Sequence, residues 1–242
     1  MKLLLTSSGI KEAPELQEAF LDLTDHRKDL LVAIIPTAGD PIEWVLEKEG
    51  DVAPYDSVAK LVPEKKEKNL AWWHSMQEAW EKKGHRAIIV DLKEDPVEVR
   101  KKLENADIIE VTGGDGNWLV DWAKKAKLDV YLKDILNQGV IYYGTSAGSC
   151  LVTPDFGLGW WDKRWKLDHM GLGIVNFCVA PHQLAPHQKE KTIEEVKTKI
   201  IEQKKNYQAE FSWKIYLLQD GQAIKVDGDK VAHIGEGLKQ FI

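Results

Sequence analysis

The run Gly144-Thr145-Ser146-Ala147-Gly148-Ser149, entered from the apolar stretch Val140-Ile141-Tyr142-Tyr143, constrains the fold of this chain more than any other segment. An apolar strand that ends among small residues and passes into a helix start calls for a sharp strand-to-helix turn. Only small neighbours let such a turn lift one side chain above a sheet edge without clashes. The lifted side chain is Ser146. Its hydroxyl is exposed there, the next backbone N–H points the same way, and the start of a helix favours developing negative charge. The segment therefore has the form of a nucleophile elbow.

The rest of the chain supplies the sheet that an elbow needs. Residues 2–6, 29–35, 86–91, 107–111 and 140–143 are short, mainly apolar runs, and the run at 29–35 is continuously apolar from Leu30 up to Pro36, as a strand covered on both faces should be. Between them lie segments with helical spacing at 12–23, 65–83, 96–103, 118–127 and 131–137, and Pro96 suits a first helical turn. A short helix is also expected at 41–50. Alternation of this kind specifies an α/β fold, a doubly wound, mostly parallel sheet flanked by helices, with ligands at the carboxyl ends of the strands. Beyond the elbow, 154–170 reads as a loop and 173–180 as a strand ending at Pro181-His182. A helix follows at 189–204, and 214–218, 223–226 and 230–234 read as a short C-terminal antiparallel meander with turns at Asp220-Gly221 and Asp227-Gly228.

The 242 residues suit a single α/β domain spanning 1–242, with no composition break to divide it. A net charge of −6 argues against nucleic acid or an anionic membrane as a partner held by charge. No apolar run reaches membrane-spanning length, so a cytoplasmic protein is expected. Cys150 and Cys178 lie in apolar settings without metal or disulfide spacing and read as core residues. Ten tryptophans are unusual; the pairs Trp72-Trp73 and Trp160-Trp161, with Trp165, suit a pocket wall or a subunit contact, and a homo-oligomer is possible.

A serine hydroxyl needs a base within hydrogen-bond reach, and the base needs an acceptor to orient it. His182, just past a strand and a proline, belongs at the same sheet edge as Ser146. His233 is the competitor, placed late in the chain where a hydrolase of order Ser, Asp, His carries its base, with Asp220 as its acid. The turn Thr112-Gly113-Gly114-Asp115-Gly116-Asn117 has neither a dinucleotide fingerprint nor a phosphate-loop ending, so no cofactor is expected. It does offer bare backbone N–H groups, which with that of Ala147 could hold an oxyanion.

Strand, Gly-Gly turn, helix, strand, Gly-Thr-Ser-Ala-Gly elbow and then Pro-His, in that order from Ile34-Ile35-Pro36-Thr37 to the terminal meander, resembles the dipeptidase E and cyanophycinase family of serine peptidases. That family has the class I glutamine amidotransferase-like fold. The resemblance implies a Ser-His-acid peptidase, a dipeptidase or other exopeptidase, acting on small peptides without metal. It implies Ser146 as nucleophile, His182 as base, and Gly114 and Ala147 as the oxyanion hole. It also implies an acid on the loop after the serine, where Asp162 falls, with Asp155 and Asp168 as its neighbours. Two features depart from the family pattern: the glycine turn continues Asp115-Gly116-Asn117, and Lys191-Thr192-Ile193 stands where aspartyl dipeptidases carry an arginine. Two other readings stay open, an esterase using His233 and a non-catalytic protein that binds a ligand or partner through its tryptophan loop.

Overall fold

The structure, a computed structural model, describes residues 1–11, 13–46, 57–155, 170–186, 191–206 and 213–242. Its centre is a seven-stranded sheet of order β11-β10-β1-β7-β6-β2-β5. The strands are β1 (Lys2–Thr6), β2 (Leu31–Ile35), β5 (Arg86–Ile89), β6 (Ile108–Val111), β7 (Ile141–Thr145), β10 (Ala223–Asp227) and β11 (Lys230–Ile234). The five from β5 to β1 run parallel, and β10 and β11 close one side antiparallel.

Alternate residues of these strands feed two separate cores. Leu3, Leu5, Ala33, Ile35, Ile109 and Val111 face α3 (Pro96–Glu104), α4 (Gly116–Lys125), α5 (Leu128–Asn137) and α6 (Ala147–Leu151). Leu4, Val32, Ile34 and Tyr143 face α1 (Pro14–Leu23) and Trp80 of α2 (Lys66–Glu81). Burial on both faces explains why these strands read as continuous apolar runs rather than as alternating ones. The helices match the sequence-based ranges to within a few residues, because Pro14 and Pro96 fix two starts and the side chain of Asp95 caps α3.

Three places differ from expectation. Residues 41–50 were expected as a short helix, but β3 (Ile42–Leu46) pairs antiparallel with β4 (Ser57–Leu61), so 42–46 are a strand. Ile42, Trp44 and Leu46 alternate with Glu43 and Val45, a period of two that a five-residue stretch shares with a helical stripe. The terminal strands also divide. β10 and β11 form the antiparallel hairpin, whereas β9 (Lys214–Leu217) joins a three-stranded sheet of order β12-β9-β8, parallel to β8 (Phe177–Ala180) and antiparallel to β12 (Gln240–Phe241). In that sheet Cys178, Ala180, Ile215 and Leu217 pack against Ile193, Val196 and Ile200 of α7 (Ile193–Asn206). Thirdly, the strand expected over 173–180 is confined to β8. Cys150 and Cys178 are both buried, as core residues should be. No described helix is long and apolar enough to cross a membrane.

Candidate active site

The elbow forms where β7 meets α6. Ser146, between them, has φ 52° and ψ −115°, outside the regions ordinary residues favour, and is itself buried. Such strain persists only when the surroundings over-determine it, and they do. Ser146 N–H and Ser149 Oγ–H both donate to the carbonyl of Thr6, at 3.0 and 2.8 Å, while Thr6 Oγ1 donates to the Gly144 carbonyl at 2.9 Å. Tyr142 Oη donates to the Gly148 carbonyl at 2.6 Å. The helix presses so closely on the sheet that a Cβ on Gly148 would lie 2.0 Å from the carbonyl oxygen of Val111. The small residues of the motif are thus a packing requirement.

The glycine turn is placed by β6, the neighbour of β7. Gly113 approaches the serine so closely that a Cβ there would stand 2.9 Å from that of Ser146. Gly114, at φ +142°, lies against the backbone of Ala38, where a Cβ would meet the carbonyl oxygen at 2.0 Å. The unexpected Asp115 has a structural role. Its Oδ1 accepts from Trp118 N–H at 3.0 Å to cap α4, its Oδ2 accepts from Trp44 Nε1 at 2.8 Å, and its own N–H donates to Ala38 O at 2.6 Å. Ala147 is the first residue of α6, so its N–H has no acceptor within the helix.

The histidine beside Ser146 comes from the smaller sheet. His182 follows β8, with φ +58°, and its Nε2 lies 3.0 Å from Ser146 Oγ. On the other side of the ring, His182 Nδ1 lies 2.7 Å from Asp220 Oδ1. Parallel pairing explains the meeting: Ala180 is opposite Leu217, so the residues that follow β8 and β9 emerge side by side. Ser7, immediately past β1, donates from Oγ to Asp220 Oδ1 at 2.8 Å and accepts from His182 N–H at 2.8 Å. Ser8 Oγ accepts from Gly221 N–H at 3.3 Å.

The structure therefore brings Ser146, His182, Ala147 and the Gly113-Gly114 turn to one sheet edge. Asp162 and Asp168 lie outside the described residues, as do His187 and the tryptophans at 160, 161 and 165. Asp155 forms an isolated antiparallel bridge with Met170. Asp220, considered from sequence only as a partner for His233, stands at His182 instead; the Asp-Gly turn at 220–221, coming just after a strand, was the available signal.

His233 does not fit the esterase reading. It belongs to β11, three strands from β7, roughly 14 Å away at the usual strand spacing. Its Nε2 lies 3.2 Å from Gln222 Oε1 and its ring meets Tyr216 edge-on. Burial first, then Lys239 and Lys214, lowers its pKa to about 4. Burial pushes the Cys178 thiol up to about 12, which removes it as a nucleophile. The cluster of possible metal ligands found among the described residues, Glu18, Asp22 and His26, is exposed and shares no residue with this edge.

Comparison with known proteins shows the family of the chain. The model of peptidase family S51 matches residues 59–234. The uncharacterized peptidase Lmo0363 of Listeria monocytogenes serovar 1/2a is 24% identical over 238 residues, 96% of this chain and 97% of that relative. The uncharacterized peptidase Lin0382 of Listeria innocua serovar 6a is 27% identical over 112 residues, which span 44% of this chain and only 54% of the relative. Among solved structures, a protein described as a peptidase E from Listeria monocytogenes EGD-e superposes with a TM-score of 0.64 at 24% identity, covering 98% of both chains. A peptidase from an acI-B1 Actinobacterium superposes at 0.59 with 18% identity, covering 100% of this chain and 93% of that one. With the family model spanning most of the chain, and a serine elbow at its centre, this protein belongs to peptidase family S51 and is a serine-type peptidase.

Proposed function

We propose that the protein is a dipeptidase or related exopeptidase that cleaves small peptides through an acyl-enzyme on Ser146, with His182 as general base and Asp220 as its orienting acid. The observation that carries this reading is the unbroken line from Ser146 Oγ through both ring nitrogens of His182 to Asp220 Oδ1, with steps of 3.0 and 2.7 Å. A carboxylate at Nδ1 holds the proton there, which leaves Nε2 free to accept the hydroxyl proton of Ser146.

The reaction follows from that tautomer. His182 Nε2 takes the proton as Ser146 Oγ bonds to the amide carbonyl carbon, and the carbonyl oxygen becomes an oxyanion. The N–H groups of Ala147 and Gly114 are the donors proposed for it, one at the positive end of α6 and one on the glycine turn. His182 then gives its proton to the leaving amine, the C–N bond breaks, and an ester on Ser146 remains. Water repeats the sequence: His182 removes its proton, the hydroxide oxygen bonds to the ester carbon, and Ser146 leaves with the proton restored. Asp220 compensates the imidazolium in both halves. This chemistry calls for no metal or cofactor, and a cytoplasmic pool of small peptides suits it.

Two experiments test the reading. A serine-directed phosphonate should label the wild-type chain and fail to label Ser146→Ala; labelling that persists in the variant places the nucleophile elsewhere. A dipeptide library with varied first residues should yield hydrolysis by the wild type and none by Ser146→Ala. A wild-type chain that binds dipeptides, with a change in tryptophan fluorescence, yet neither hydrolyses them nor takes the label would favour the non-catalytic reading.

A further inference from the structure

The nucleophile and its base are built on different sheets. Ser146 stands at the end of β7 in the seven-stranded sheet, whereas His182 and Asp220 follow β8 and β9 in the three-stranded one. A proton transfer across that boundary needs alignment to a fraction of an ångström. The end of β1 touches both sides of the boundary. The Thr6 carbonyl accepts from Ser146 N–H and Ser149 Oγ–H, and the next residue, Ser7, reaches across to the other pair.

We propose that Ser7 is a positioning residue that aligns the His182–Asp220 pair with the elbow. Its hydrogen-bond roles are fixed by its partners. A backbone N–H can only donate, so at 2.8 Å from His182 N the Ser7 oxygen is an acceptor, and its single proton is left for Asp220 Oδ1 at 2.8 Å. Since Asp220 Oδ1 also meets His182 Nδ1, the contacts close a ring from the His182 backbone through Ser7 and Asp220 to the His182 imidazole. The ring fixes the imidazole relative to its own main chain, at a residue whose φ of +58° needs outside support. Ser7 is fully buried, and its own N–H donates to Gln222 O at 3.0 Å, so the backbone carrying the hydroxyl is tied to the turn carrying the acid. A donated hydrogen bond also sets the plane in which the carboxylate meets the imidazole. The role is confined to geometry; Ser7 touches no reacting atom.

This inference rests on the proposed roles of His182 and Asp220, and the test separates the two. Dipeptide hydrolysis is measured for the wild type, Ser7→Ala, Ser7→Cys, Asp220→Asn and Ser7→Ala/Asp220→Asn. Ser7→Ala should lower kcat about 10- to 100-fold with KM changed less than about twofold, as a misaligned base requires. Ser7→Cys keeps the shape with a weaker donor, and should lower kcat in the same direction by a smaller factor. In the Asp220→Asn background, Ser7→Ala should cost less than about threefold, because the group it acts through is already impaired. The low-field Nδ1–H proton resonance of His182 should shift in Ser7→Ala. An undiminished kcat in Ser7→Ala and Ser7→Cys, with Asp220→Asn crippled, overturns the role of Ser7 and leaves the proposed function standing. An equal loss in both backgrounds, or an unmoved resonance, overturns it too, since a structural defect behaves that way. Full activity in Asp220→Asn removes the proposed function of that residue, and the Ser7 role with it.

Discussion

Asp220 Oδ1 lies 2.7 Å from His182 Nδ1, although 38 residues separate the two in the chain. Neither residue reaches for the other: β8 and β9 run parallel with Ala180 opposite Leu217, and the two side chains follow from that register. The proposed acid thus stands on a strand end and its turn, a rigid support. Asp220→Asn is expected to lower kcat on the order of a thousandfold or more, because an amide no longer holds the base in the required tautomer. Asp162→Asn serves as the control and should leave kcat within a few fold. Steady-state kinetics of both variants on one dipeptide checks the assignment, and the reverse ranking would return the role to the loop.

The packing at the elbow gives a stability prediction. A Cβ at Gly148 would stand 2.0 Å from Val111 O, backbone against backbone, with no flexible side chain to move aside. Gly148→Ala should cost about 3 kcal/mol or more. At Gly139 the φ of +104° strains any other residue, but nothing lies within 4 Å, so Gly139→Ala should cost only about 1–2 kcal/mol. Urea denaturation of the two variants measures the difference, and equal costs would refute the close approach.

Two partly buried groups, Glu110 and His233, set opposing slopes of stability with pH. Burial pushes the Glu110 carboxyl up from 4.5 to about 6, partly offset by Trp80 Nε1, which donates to it at 2.5 Å, and by Lys83. Between those values the native chain holds a proton that the unfolded chain has released, so stability falls as pH rises through this range, by about 2 kcal/mol in all. His233 runs the other way: it is depressed from 6.5 to about 4, the unfolded chain binds the extra proton, and stability falls as pH falls, by roughly 2 kcal/mol once its partial exposure is allowed for. Glu110→Gln should remove the first slope and His233→Gln the second. Urea titrations from pH 4 to 7 would show the two variants diverging from the wild type in opposite directions; curves parallel to the wild type would contradict the shifts.

Thiol chemistry should be silent. Cys150 lies only four residues past Ser146, the proposed nucleophile, yet it and Cys178 are both fully buried, and burial pushes the Cys178 thiol up to about 12. Iodoacetamide at neutral pH should modify neither cysteine in the folded chain and leave peptidase activity intact, while both react in urea. Mass spectrometry after brief alkylation is sufficient, and rapid modification with loss of activity would point to a thiol in the mechanism.

The sequence was most informative where one local constraint acted alone. The elbow was legible because a sharp turn against a sheet leaves room only for small residues, and the parallel strands because two-sided burial makes them uniformly apolar. The residues 42–46 misled because five positions cannot separate a strand alternation from a helical stripe, and because their partner, β4, lies across an intervening segment. Asp220 was visible, but only as the companion of His233. His182 was preferred to His233 from its place after a strand and a proline; that Asp220 would meet it depended on β9 leaving the terminal hairpin for the sheet of β8, a matter of long-range pairing that no local pattern records. Ser7 was passed over for the same reason: it looks like part of a loop until its partners, 175 and 213 residues away, are known.

Pairing of β1 with β10 has a consequence for biosynthesis. Lys2 is opposite Asp227 in the sheet, and Ser146, the proposed nucleophile, is made some seventy residues before Asp220, the acid proposed to orient its base. During translation the elbow leaves the ribosome first, but β1 is flanked by β10, and His182 meets Asp220, only after β9 and β10 emerge. On the proposed roles, the serine of a growing chain stays unarmed until residue 220 has been made, and the ability to cut peptides waits for the pairing of β8 with β9.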